Sequence, residues 1–109
     1  MTADSRPLVT DLAALESTAR PAGYEEFLRV PAMSMGLFIA SAGYHDTQQP
    51  HAEDEVYVVV AGSAVLEIDG VDRPVRAGSI AYIPRCVPHH FHDISDDLRV
   101  LVVFAPAET

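Results

Sequence analysis

From Glu26 onward the chain runs as short, β-branched apolar segments, each closed within a few residues by Gly, Pro, Asp or Ser. Segments of that length and punctuation form strands, and no helical period interrupts them. Strands are expected near 26–30, 34–41, 55–60, 63–69, 71–76, 79–83, 89–93 and 98–104. The sharpest local signal is Asp69-Gly70, set between Ala64–Ile68 and Val71–Val75. A two-residue Asp-Gly connection suits a type I′ turn, whose twist matches that of the flanking strands. Pro74 has no N–H for a ladder, so the second arm of this hairpin belongs at a sheet edge or ends in a bulge. Many short strands with turn spacing imply an all-β antiparallel sandwich or barrel.

Upstream the pattern changes. Leu12, Leu15 and Ala19 recur at helical spacing behind Thr10, an N-cap residue, which predicts one short helix over 10–19. Pro21-Ala22-Gly23 breaks it. The chain therefore reads as an N-terminal segment, 1–25, carrying a short helix, and a single domain, 26–109. Its 109 residues suffice for one core and not for two.

The net charge of −9 and the absence of lysine argue against nucleic acid and anionic membrane, because affinity for either comes largely from Lys and Arg. No apolar run approaches the roughly 20 residues of a membrane span. Met1 to Arg6 leads into no apolar segment of the signal-peptide kind. A single cysteine, Cys86, excludes an internal disulfide and suits a reducing compartment. The cytoplasm is the expected location.

Two spacings carry the functional information. The first is Gly43-x5-Gln49-x-His51-x3-Glu55-x6-Gly62 and the second Gly78-x5-Pro84-x-Cys86-x2-His89-x3-Asp93. Together they resemble the two motifs of the cupin superfamily, over most of the chain from about Val30. Gln49 stands where the family has its first histidine, Cys86 where it has glycine and Asp93 where it has asparagine. The resemblance implies a small antiparallel jelly-roll barrel with a divalent metal ion held by His51, Glu55 and His89, and with Gln49 in the fourth place. Gln48 competes for that place, because a kink at Pro50 exchanges which glutamine faces inward. Two imidazoles and a carboxylate leave coordination positions open, and Fe, Mn, Ni, Zn and Cu are all candidates.

Within such a barrel, strand alternation turns Gln49, His51, Glu55, Tyr57 and Val59 inward, and His89, Phe91 and Asp93 with them. Tyr57 is the candidate proton-transfer or substrate-orienting group, although an aromatic wall is its plainer role. His45, His90 and His92 belong to solvent-facing structure. Glu53 and Asp54 read as solvated turn residues, Arg85 as a solvated turn charge, and Cys86 as a small packing residue. The expected function is metal-dependent action on a small organic molecule, by an oxygenase or by a Lewis-acid isomerase or lyase. The alternatives are a non-catalytic small-molecule-binding module and a structural domain with a vestigial site. Edge strands of a small barrel and the resemblance both point to a homodimer, with segment 1–25 in its interface.

Overall fold

The computed structural model describes residues 6–109; residues 1–5, part of the N-terminal segment, lie outside it. One helix, α1 (Leu12–Thr18), precedes eight strands: β1 (Gly23–Val30), β2 (Met33–Ala40), β3 (Asp54–Ala61), β4 (Ser63–Ile68), β5 (Val71–Arg76), β6 (Ile80–Ile83), β7 (His89–His92) and β8 (Leu98–Ala105). All eight expected strands are present. They form two antiparallel sheets, ordered β1-β2-β8-β3-β6 and β5-β4-β7, in a jelly-roll arrangement whose sheets stay separate instead of closing into a barrel.

Alternation explains the core. In β3 the residues Glu55, Tyr57 and Val59 are buried, and in β8 Leu98, Val100, Val102 and Phe104 are. They meet Leu66 of β4 and Phe91 of β7 from the smaller sheet, and Phe91 stacks on Phe38 of β2 with ring centroids 5.7 Å apart. The Asp69-Gly70 turn has positive φ at both residues, as type I′ requires, and pairs Ile68 with Val71. β5, which contains Pro74, lies at the edge of its sheet, where the missing N–H costs no ladder bond.

The helix is shorter than 10–19 and is capped by Asp11 rather than Thr10: the Asp11 carboxylate accepts from Ala14 N–H at 2.8 Å. Leu12 and Leu15 border a shallow apolar groove with Phe27, Met35 and Leu101 on the outer face of the larger sheet. Glu16 binds Arg99 of β8 at 2.9 Å. The apolar stripe of this segment is thus turned toward its own sheet, while Leu8 and Val9 remain exposed.

Gly36 of β2 is required by a close approach. A Cβ there would clash with the Tyr24 ring, so glycine leaves the room by which Tyr24 reaches across β2 to the cavity between the sheets.

Candidate metal centre

A cavity of about 250 Å³ opens between the sheets, walled by Phe38, Tyr57, Phe91 and Phe104 and carrying His51 and Glu55 at one side. Glu55 comes from the start of β3, His89 from the start of β7 and His51 from the irregular stretch before β3. The turn between β6 and β7 holds these pieces together. Cys86 sits there at φ +65°, and its N–H donates to the His51 carbonyl at 2.7 Å. Cys86 is therefore an exposed turn residue in a left-handed conformation, one that glycine adopts without strain, and not a packing residue.

Each of His51, Glu55 and His89 offers one ligand atom, and the three lie within 4.8 Å of one another. Their hydrogen bonds fix what they present. His89 Nδ1 donates to the Val87 carbonyl at 2.8 Å, which turns Nε2 toward Glu55 Oε1 at 2.9 Å. Both atoms are fully buried, and neither has a partner with hydrogen-bond geometry. His51 repeats the arrangement: Nδ1 faces the Glu108 carboxylate at 3.1 Å, and Nε2 lies 3.2 Å from Gln48 Oε1. Imidazole nitrogens, a carboxylate oxygen and an amide oxygen thus converge on one small space, where a proton or a metal ion can sit between them. Burial pushes the His89 imidazole down, but Glu55 and the Val87 carbonyl outweigh it and the net shift is upward. Two imidazoles, a carboxylate and an amide oxygen fit a divalent ion.

The structure places Gln48, and not Gln49, beside His51. Residues 45–53 form no strand, so period-two alternation does not extend upstream of β3. Instead Asp46 clamps Gln48: its carboxylate accepts from Gln48 N–H at 3.3 Å, from Gln48 Nε2 at 2.8 Å and from Phe91 N–H of β7 at 2.8 Å. That orientation points Gln48 Oε1 at the cluster, while Gln49 is exposed on the neighbouring groove. Asp93 is exposed too, because β7 ends at His92 and Asp93 turns back at φ +50°.

Tyr57 is buried and donates to Gln48 Oε1 at 3.3 Å. Burial, then the Glu55 charge, hold its phenol well above the usual range. Of the other residues, His90 and His92 face outward, as alternation requires, and His45 is exposed. Arg85 is exposed and lines none of the cavity. Glu53 is not a solvated turn residue: it is 4% exposed and accepts from Thr109 N–H and Oγ1. Asp54 caps the β6–β7 turn by accepting from Arg85 N–H at 3.0 Å.

Asp46 and Glu108 are the residues that sequence reasoning missed. Asp46 had a usable signal, since an aspartate two residues before a glutamine in a turn-rich stretch bonds locally to the backbone. Glu108 had none. A second grouping, Glu67, Asp72 and His92, lies on the outer face of the smaller sheet, where His92 is already bound to Asp72 at 2.9 Å.

Fold and cluster together define a small jelly-roll protein with residues able to hold a metal beside an apolar cavity. The cupin domain model matches residues 37–104, and the chain belongs to the cupin family. It is 49% identical to an uncharacterized protein of Streptomyces coelicolor over 86% of this chain and 90% of that protein. It is 32% identical to dimethylsulfoniopropionate lyase DddW of Ruegeria pomeroyi over 69% of this chain, which spans about half of the lyase (49%). Among solved structures, TT1209 from Thermus thermophilus superposes with a TM-score of 0.75 at 23% identity, covering 91% of this chain and 97% of that one, a likeness of fold.

Proposed function

We propose that this protein is a metal-dependent enzyme acting on a small organic molecule, with a divalent ion held by His51, Glu55 and His89 and by Gln48 in the fourth place. One observation carries the reading: buried His89 Nε2 and Glu55 Oε1 face each other at 2.9 Å without a hydrogen bond. With the ring neutral the two stand as opposed acceptors in a desolvated site, and an ion joins them where otherwise only a proton on His89 does. The ion, Fe, Mn, Ni, Zn or Cu, would supply Lewis acidity toward a substrate oxygen.

The rest is the work of side chains. Among the described residues no arginine lines the cavity, so an acidic group on the substrate has only the metal side to bind, with its apolar part against Phe38, Phe91 and Phe104. These rings exclude water. Tyr57, whose raised pKa keeps the phenol protonated, serves as a proton donor or orienting hydroxyl rather than as a base. The likeness to a lyase favours Lewis-acid lyase or isomerase chemistry over oxygen chemistry. A non-catalytic binding module is the second reading, favoured by the resting engagement of the Tyr57 hydroxyl with Gln48, which occupies the proton that Tyr57 would donate.

Metal analysis of protein purified without added metal, followed by product and oxygen-uptake assays with small carboxylates, phenols and thiols, tests the proposal. Stoichiometric metal and turnover of one class support it. Absence of any bound divalent ion overturns it, and a ligand bound but never converted selects the binding module. The reading also takes the protein as a homodimer, supported by Ile80 and Tyr82 of edge strand β6, which are 74% and 59% exposed.

A further inference from the structure

Among the described residues four polar or charged ones are buried: Ser34, Glu53, Glu55 and His89. Glu55 and His89 belong to the cluster. The other two hold the segment that follows β8. Ser34 Oγ accepts from Glu108 N–H at 2.9 Å, and Glu53 accepts from Thr109 N–H at 3.3 Å and from its hydroxyl at 3.1 Å. Arg29 Nη2 adds a bond to the Glu108 carbonyl at 2.6 Å. The joint effect of these bonds is to fix one backbone position and to aim the Glu108 side chain back between the sheets, where its Oε2 meets His51 Nδ1 at 3.1 Å.

From this geometry we infer that Glu108 is a positioning residue for His51. The inference rests on the metal reading above. A carboxylate can only accept, so Glu108, in ion-pair contact with Nδ1, favours the proton on Nδ1 over the competing pull of the Gln48 oxygen on Nε2 at 3.2 Å, and so leaves the Nε2 lone pair for the ion. It does for His51 what the Val87 carbonyl does for His89. His51 needs the help more, since it lies outside any strand and is only half-buried. A carboxylate behind a metal-bound imidazole also raises its basicity, and removal of such partners weakens metal binding about 10- to 100-fold.

The test uses the whole chain with Zn(II) as probe. Chelator competition gives the Zn(II) affinity of the parent, Glu108→Ala and Glu108→Gln. Long-range proton–nitrogen NMR of the metal-free proteins, at a pH where imidazole is neutral, gives the His51 tautomer. Glu108→Ala is expected to bind Zn(II) about 10- to 100-fold more weakly and to lose the Nδ1–H tautomer. Glu108→Gln, whose amide oxygen can take the place of the carboxylate oxygen facing Nδ1, is expected to keep the tautomer and most of the affinity. Parent-like affinity in Glu108→Ala, or retention of its Nδ1–H tautomer, overturns the inference. If the parent takes up no Zn(II), the metal reading fails, and the tautomer comparison alone decides what Glu108 does to His51.

Discussion

At the scale of single residues, the two histidines of the cluster differ in what their loss does. His89 is 5% exposed and its Nε2 sits against buried Glu55, whereas His51 is half-buried and borders the cavity. Both His51→Ala and His89→Ala are expected to lose stoichiometric metal. Only His89→Ala also strands a buried carboxylate, which costs roughly 3–5 kcal/mol when one member of a buried pair is removed. Metal analysis and denaturant unfolding of the metal-free proteins separate the two effects; equal unfolding midpoints would refute the asymmetry. On the opposite face, the Asp72 hydrogen bond holds His92 above the ordinary histidine range. Its protonated form is the one the folded state favours. The stabilising contribution is therefore present below the unfolded value of about 6.5 and is lost as pH rises through the raised folded value. An NMR titration is expected to show the His92 pKa falling in Asp72→Asn.

At the scale of elements, period and turn chemistry made the strands legible, because alternation of buried and exposed residues is a local property. The Asp69-Gly70 hairpin and the edge position of β5 follow from residues within a few positions of each other. The stretch 45–53 was not legible in that way. Its path is set by Asp46 reaching 45 positions ahead to Phe91 N–H, so whether Gln48 or Gln49 faces the cluster depends on a contact between distant parts of the chain. Gly36 is a related case, since its need appears only once Tyr24 of β1 lies over β2. Gly36→Ala is expected to cost about 1–3 kcal/mol, the usual range for overpacking. In a double-mutant cycle with Tyr24→Ala, unfolding free energies should be clearly less than additive, because removal of the ring removes the clash. Additivity would reject the close approach as the reason for glycine.

At the scale of the whole molecule, the five-stranded sheet leaves β6 at an edge with Ile80 and Tyr82 on the surface, and such an edge invites pairing. Light scattering is expected to give a dimer at tens of micromolar, and Ile80→Asp to shift it toward monomer; a monomeric parent rejects the proposal. Leu12 and Leu15 of α1 border an open apolar groove on the outer face of the same sheet, and the proposal keeps segment 1–25 as part of the dimer interface. The same division runs through the metal cluster. The residue types and spacings of His51, Glu55 and His89, the β class and the hairpin were determined by sequence alone, because each depends on neighbours or on a repeated motif. The inward glutamine, the left-handed turn at Cys86, the burial of Glu53 and the arrival of Glu108 behind His51 were decided only by tertiary structure. Each joins positions tens of residues apart in the chain, and only the packing of two sheets and the return of the segment after β8 bring them within hydrogen-bond distance.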